Sequence, residues 1–219
     1  MITKAEIFDK ITDLYEITGF NDHSLHSVIK FRSHFDEIVM EKAMKMLLKT
    51  VPILSSVYIH DDKNPYWESV DISKWKDLII VVDNEVNFNR FTTSKIDGIM
   101  GPQIKACILK ADQDSLSIVM NHMVCDAAGF KECLYLLAFL YSKIMENSNY
   151  CLDFEINGER SFKKINSQFA FAEKLKTILF ENKENNQSDG YKFPLSNDKN
   201  IEPFILSYEL GSDRYAAIR

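Results

Sequence analysis

The sequence contains no cysteine pair at Cys-x-x-Cys spacing, and its four cysteines are scattered at Cys107, Cys125, Cys133 and Cys151. This spacing argues against a zinc knuckle and indicates no disulfide framework, so buried free thiols are expected. The first residues lack the basic run and apolar stretch of a signal peptide, and no apolar run reaches the length of a membrane span. We therefore expect a cytoplasmic protein with no membrane-spanning segment.

Concentrated positive charge is also missing. The formal net charge is -6 at pH 7, and Lys and Arg do not gather into a stripe. Nucleic-acid-binding proteins concentrate such residues on one face, so a nucleic-acid partner is not expected. With 219 residues, of which 46% are hydrophobic and 26% charged, the chain has the balance of an ordinary globular protein and can bury a sizeable core.

The clearest chemistry lies in the stretch 121–129, which runs Asn-His-Met-Val-Cys-Asp-Ala-Ala-Gly. It follows a predicted buried strand at 117–120 and precedes an apolar helix that begins near Phe130. A histidine at a strand exit, here His122, can move a proton near neutral pH. Asp126 can organise the loop or cap the following helix, and Gly129 allows the backbone to approach closely.

Three chemistries fit these residues. In the first, His122 is a general base for acyl transfer. In the second, Cys125 is a nucleophile that His122 activates. In the third, His122 and Asp126 bind a metal. For a Cys125 nucleophile no third catalytic residue is recognisable nearby. For a metal site, His122 and Asp126 are too few ligands. The simplest alternative to all three is a satisfied core histidine followed by a helix cap.

The segment 25–35 is predicted to form a strand with one basic face, because apolar and polar residues alternate along it. Such a face is either solvated or lines a cleft. The candidate cleft-lining residues are therefore His26, Lys30, Arg32 and His34.

Caps and turns predict the other elements. Thr3 and Glu6 form the pattern of a capping box for a helix that ends at Gly19, and Asp36 is expected to cap a helix that Pro52 ends. The helix from Phe130 is apolar almost all round, which predicts burial on more than one side. Further predicted elements are strands at 53–59, 66–70 and 78–82, a loop at 94–102, a hairpin at 103–120 and a helix at 168–180.

A composition shift divides the chain. Apolar residues nearly vanish over 183–202, which predicts a polar linker. The predicted organisation is a first half-domain at 1–182, the linker at 183–202, and the start of a second half at 203–219.

The stretch 121–129 resembles the His-His-x-x-x-Asp-Gly motif of a superfamily of acyltransferases. Its members include chloramphenicol acetyltransferase, the condensation domains of nonribosomal peptide synthetases, the plant-type His-x-x-x-Asp acyltransferases and the alcohol acetyltransferases. The strand and helix predicted over 28–54 are similar to the family's opening strand, helix and His-Pro-x-Leu-Arg segment. The hairpin at 103–120 and the helix after Gly129 also fit, so the resemblance covers residues 20–150.

Matched position by position, His122 corresponds to the family's catalytic second histidine and Asp126 to its structural aspartate. Asn121 and Gly129 are further structural members of the motif. The sequence departs from the family pattern at the first histidine, at the glycine after the aspartate, and at the His and Arg of the His-Pro-x-Leu-Arg segment, which are here Asn121, Ala127, Val51 and Ser55. The Asp-Phe-Gly-Trp-Gly segment of the family's second half has no match.

The resemblance implies an α+β fold of the chloramphenicol acetyltransferase type. This fold is a two-layer sandwich in which a mostly antiparallel or mixed sheet is packed by helices. The implied activity moves an acyl group from a CoA or carrier-protein thioester to a hydroxyl or amine on a small-molecule or carrier-bound acceptor, with His122 as general base. The thioester, carried on CoA or phosphopantetheine, is then a co-substrate, and no cofactor is bound permanently.

Because the second half of the family pattern has no match, we expect the chain to be a truncated piece of an enzyme. Such a piece should be inactive alone. It should self-associate through its exposed inner face, which is the face that the second half would cover. The alternative is a degenerate, non-catalytic condensation-like module with a binding or scaffold role.

Overall fold

Two β-sheets with helices packed on them make up the described part of the chain. A computed structural model describes residues 2–18, 23–61, 63–152, 156, 160–161, 163 and 167–173. Its helices and strands follow in the order β1 (Ile2–Lys4), α1 (Ile7–Ile17), β2 (Ser24–Lys30), α2 (Glu37–Thr50), β3 (Ser56–Ile59), β4 (Tyr66–Ser69), β5 (Ile79–Val82), α3 (Glu85–Thr92), β6 (Ile104–Leu109), β7 (Ser115–Asn121) and α4 (Ala127–Glu146). Short 3₁₀ turns lie at Pro52–Ser55 and Ile72–Lys74.

The chain divides into two compact units, Met1–Phe162 and Lys163–Arg219. All of the elements named above belong to the first unit. In the second unit, the Ala170 N–H donates to the Glu173 carboxylate over 2.8 Å at the start of a helical turn. Most of the helix predicted at 168–180, the predicted linker at 183–202 and the predicted restart at 203–219 lie outside the described residues.

The larger sheet has the strand order β2-β7-β6-β5. Strand β7 is antiparallel to both β2 and β6, whereas β5 is parallel to β6, so the sheet is mixed. All seven residues of β7 are buried. The predicted hairpin is confirmed as β6 and β7. Since β7 is hydrogen-bonded on both edges and covered on both faces, the point at which the chain leaves it is fixed.

Alternate residues of β6 divide between the two faces of this sheet. Ile104, Ala106 and Ile108 join the main core beneath α2 and α4, whereas Cys107 and Leu109 pack with Phe88 of α3. The main core also contains fully buried residues of both helices, including Met44, Leu47, Leu48 and Leu140. Each such side chain contributes roughly 2 kcal/mol by leaving water. The α+β class with a mixed sheet packed by helices is thereby confirmed.

The smaller sheet has the order β1-β4-β3 and is antiparallel throughout. Tyr58 and Trp67 are buried on it, with their ring centroids 5.0 Å apart. Helix α1 turns an acidic side chain inward, because Asp9 is only 1% exposed, while apolar side chains of the same helix lie in solvent. These exposed residues include Ile7, Phe8, Leu14 and Ile17.

The predicted capping box of the first helix was displaced by three residues. Thr3 lies in β1, opposite Trp67 of β4, so its backbone is used by the sheet. The helix begins after Glu6, and the box is formed by Glu6 and Asp9. The prediction for α2 was right, since the Asp36 side chain accepts from the Val39 N–H over 3.0 Å.

Other predicted elements differ in extent or type. The strand expected at 25–35 ends at Lys30, and residues 52–55 form a 3₁₀ turn before β3. Helix α3 was not predicted from the sequence, although Asn84 caps it by accepting from the Asn87 N–H. Helix α4 is not buried on more than one side, because Tyr135 is 63% exposed and Phe139 47%. None of the helices in the described ranges is both long enough and apolar enough to cross a membrane.

A buried carboxylate explains why β2 ends where it does. Asp114, at the β6–β7 turn, is fully buried and accepts from the Phe35 N–H over 2.8 Å, from Lys110 Nζ over 3.1 Å and from the Ala111 N–H over 3.4 Å, and it pairs with His34 Nδ1 at 3.0 Å. Burial opposes ionisation, but these hydrogen bonds outweigh it and hold the pKa of Asp114 well below its usual range. The chain after β2 therefore bends over this carboxylate.

Replacing Asp114 by Asn is expected to lower the free energy of unfolding by about 2 kcal/mol at neutral pH, since an amide cannot satisfy the same donors. The pKa of Asp114 is lower in the folded than in the unfolded chain. Its stabilisation is therefore complete above about pH 4 and is lost as the pH falls further. Urea unfolding of both proteins between about pH 3 and pH 7 should give a difference in stability that is constant above about pH 4 and narrows towards pH 3. A constant difference across this range would contradict the assignment.

Candidate active site

His122 is the first residue after β7. Its N–H donates to the His23 carbonyl over 2.9 Å, so the pairing of β2 with β7 continues one residue beyond both strands. The backbone of His122 is thus held by the sheet, while the side chain is exposed. Within the described ranges, its imidazole forms no hydrogen bond.

His23 lies directly across the ladder from His122. Residues in such pairs have Cβ atoms roughly 5 Å apart, so two histidines are neighbours at this end of the sheet. The His23 ring stacks on Tyr15 of α1, with centroids 5.4 Å apart and planes inclined by 12°. Its Nε2 is buried and has no hydrogen-bond partner among the described residues. In the sequence, His23 is marked only by its position two residues before the alternating segment 25–35.

Asp126 is the N-cap of α4. Its Oδ1 accepts from the Gly129 N–H over 2.8 Å, and the residue is exposed. In the part of the chain that the structure describes, no Lys, Arg or His forms an ion pair with it. A Cβ on Gly129 would stand 2.8 Å from the Cys125 Cβ, so the first turn of the helix packs tightly against the loop. Asp126 therefore organises the loop through a helix cap rather than an ion pair.

Asn121, at the position of the family's first histidine, belongs to a buried amide network. Its Nδ2 donates to Gln103 Oε1 over 2.9 Å, and its Oδ1 accepts from the Met123 N–H over 3.0 Å. Gln103 Nε2 in turn donates to the Ser56 and Gly98 carbonyls. The network ties the exit of β7 to β3 and to the loop at 94–102. Gln103 belongs to no sequence motif, so its part in this network was not predicted from the sequence.

Arg160 also holds the loop. It donates to the carbonyls of Met123 and Val124 and forms an ion pair with Asp9. Neither Arg160 nor Asp9 has a local sequence signal for this role, since they are separated by 151 positions.

Cys125 is unsuited to act as a nucleophile. Burial raises the pKa of its thiol to about 12, so the reactive thiolate is scarce at neutral pH. Its Sγ lies 3.1 Å from Met120 Sδ. As for a metal, no three His, Cys, Asp or Glu side chains among the described residues converge on a point that could hold one.

The candidate cleft-lining residues are spread along β2 and beyond it. Because β2 and β7 are antiparallel, Ser24 pairs with Asn121 whereas Lys30 pairs with Ser115. Lys30 is therefore about 20 Å from the exit of β7, and Arg32 and the Asp114-bound His34 lie past it. His26 is opposite Val119, three residues from His23. The structure thus keeps Lys30, Arg32 and His34 apart from His122.

The amide network predicts that Asn121 cannot be exchanged for the histidine of the family pattern. The site is tight, because a Cβ on Gly98 would lie only 2.7 Å from Asn121 Nδ2. Asn121→His should lower the free energy of unfolding by about 1–3 kcal/mol through overpacking. His122→Ala, one residue on but exposed, is the matched control and should change it by less than about 0.5 kcal/mol. Denaturant unfolding of both variants tests this, and equal stability of Asn121→His and the parent would contradict it.

The chain is similar to known proteins in its structure. No protein-family model matches the chain, and no curated protein matches it significantly. A double mutant of the starter condensation domain of rhizomide synthetase superposes with a TM-score of 0.65 at 12% identity, over 82% of this chain and 48% of that one. The epimerization domain from the third module of tyrocidine synthetase B gives 0.59 at 16% identity, over 77% and 40%. Polyketide synthase associated protein 5 from Mycobacterium tuberculosis gives 0.52 at 17% identity, over 66% and 34%.

These identities are low, so the comparisons show the fold. The chain spans less than half the length of each of these three structures. Two of the three are a condensation domain and an epimerization domain, in keeping with the resemblance of the motif at 121–129. The chain therefore has a condensation-domain-like fold.

Proposed function

We propose that this chain supplies the general base of an acyltransferase that moves an acyl group from a CoA or carrier-protein thioester to a hydroxyl or amine. The observation that carries the proposal is the position of His122. Its backbone is fixed by the most buried strand of the sheet, and its imidazole is exposed at the turn into α4. The condensation-domain-like fold supports the same class of reaction.

The proposed reaction needs a single proton carrier. The imidazole of His122 takes the proton from the acceptor O–H or N–H as that atom attacks the thioester carbonyl. The tetrahedral adduct then expels the thiolate, which receives the proton, so an ester or amide and a free thiol are formed. An imidazole suits both steps because it gains and loses a proton near neutral pH. Asp126 keeps the turn in place as the cap of α4.

Activity is proposed for a complete condensation-domain-like fold. The chain spans 34–48% of the solved structures compared above. We propose that the residues opposite His122 and the binding site of the thioester lie outside the described residues. The 219-residue chain alone is expected to be inactive, and cytoplasmic location and self-association through the inner face remain predictions.

A second candidate function is a non-catalytic condensation-like module that binds or scaffolds a partner. Two observations favour it. Asn121 and Ala127 depart from the family motif, and the His122 ring receives no orienting hydrogen bond from the described residues. A catalytic base is usually oriented by a neighbouring group.

Replacing His122 by Ala separates the two candidates. The chain should be expressed with any coding sequence that continues in frame after Arg219, and acyl transfer from acyl-CoA and acyl-phosphopantetheinyl carrier protein should be followed by release of free thiol. If His122 is the base, the rate should fall by about 10²–10⁴-fold. The fold should be unchanged, because the side chain is exposed.

His34→Ala is the matched control, since it removes an exposed imidazole four residues beyond the far end of β2. It should retain the parent rate. An active parent whose rate survives His122→Ala would rule out the base. A parent that turns over no thioester of either kind would favour the scaffold.

A further inference from the structure

We propose that Arg160 is a positioning residue for His122, and that it acts by locking the loop after His122 to the buried carboxylate of Asp9. The role in catalysis rests on the function proposed above, whereas the locking of the loop does not.

Arg160 satisfies two consecutive carbonyls of the loop. Its Nη1 donates to the Val124 carbonyl over 2.5 Å and its Nη2 to the Met123 carbonyl over 2.7 Å. Met123 and Val124 are both buried, at 4% and 5% exposure. A buried carbonyl without a donor is costly, so this backbone conformation depends on the guanidinium.

The same guanidinium is bound to Asp9. Its Nη2 donates to Asp9 Oδ1, while Asp9 Oδ2 accepts from the Glu6 N–H over 2.9 Å and from Trp67 Nε1 over 3.0 Å. The carboxylate is thus held by the start of α1 and by the indole of β4, and it is almost fully buried. A buried carboxylate requires a cationic partner, and Arg160 forms its ion pair.

These contacts form a continuous path from the smaller sheet to the candidate base. The path runs from Trp67 of β4 through Asp9 to Arg160, and from there to the two carbonyls that follow His122. The Arg160 guanidinium also lies 5.9 Å from the centre of the Trp67 ring, which restricts it further. His122 is therefore held from one side by the pairing with His23 and from the other by Arg160.

An arginine is required because the task is geometric as well as electrostatic. Its planar fork presents several N–H groups in fixed directions, whereas lysine offers a compact ammonium. The Asp126 carboxylate cannot take over this role, since it accepts from the Gly129 N–H as the cap of α4. The Asp9–Arg160 pair is thus the ion pair of the described chain that fixes the loop.

The experiment compares Arg160→Gln and Arg160→Lys with the parent by amide hydrogen exchange of the 219-residue chain. Arg160→Gln should speed exchange at the Met123 and Val124 amides at least about tenfold, by removing charge-assisted hydrogen bonds. Arg160→Lys should give a smaller increase. The Ile118 amide in β7 serves as an internal reference for folding and should be unchanged. Arg90→Gln, at an exposed arginine of α3, is the matched control and should match the parent.

Unchanged exchange at Met123 and Val124 in Arg160→Gln would overturn the proposal, whatever the activity. If Ile118 is also faster, the variant is globally destabilised, and Arg160→Lys decides: a selective increase at the loop supports the lock, and none overturns it.

The catalytic role is tested in the longer protein described above. There Arg160→Gln should lower kcat by about tenfold with KM within about threefold, because the base is misplaced while substrate contacts remain. A normal kcat together with fast loop exchange would overturn the catalytic role. If the parent turns over no thioester, the proposed function fails, and the exchange result still decides whether Arg160 locks the loop.

Discussion

The rest of the structure depends on the complete burial of β7. A strand can be buried on both faces and both edges only if each N–H and C=O finds a partner and each side chain finds a packing neighbour. Here β2 and β6 supply the backbone partners, the helices α2 and α4 cover Leu116, Ile118 and Met120, and the small side chain of Ser117 receives a hydrogen bond from Thr92 of α3. The strand has no freedom to slip, since a shift of one residue would exchange its two faces. The residue that follows it, His122, is therefore placed by the whole sheet.

Leaving such a strand for a helix creates polar backbone groups without regular partners. The turn at 122–126 satisfies them with side chains of three kinds. The amide of Asn121 takes the Met123 N–H, the guanidinium of Arg160 takes two carbonyls, and the carboxylate of Asp126 takes an N–H of the first turn of α4. Asn121 reaches β3 through Gln103, and Arg160 reaches β4 through Asp9, so the turn links both sheets and the longest described helix.

Local features of this fold were predictable from the sequence, and long-range ones were not. The hairpin of β6 and β7 and the cap at Asp36 follow from alternation and residue type within a few positions. Strand β1 was missed because its pairing with β4 is decided more than sixty positions away. The same reason hides the Asp9–Arg160 pair. The strand expected at 25–35 was too long, because the buried carboxylate of Asp114 captures the Phe35 N–H and bends the chain.

The departure at Asn121 from the family motif has a physical explanation within this chain. The Asn121 amide is bonded to Gln103 and packs closely against Gly98, so the asparagine fits its own surroundings. The neighbouring imidazole of His122 is held differently. Its backbone is bonded, but its ring forms no hydrogen bond to the described residues. Such a ring can come within hydrogen-bond reach of a proton on an incoming molecule, which is the geometric condition for a general base, and the described residues do not supply a group that orients it.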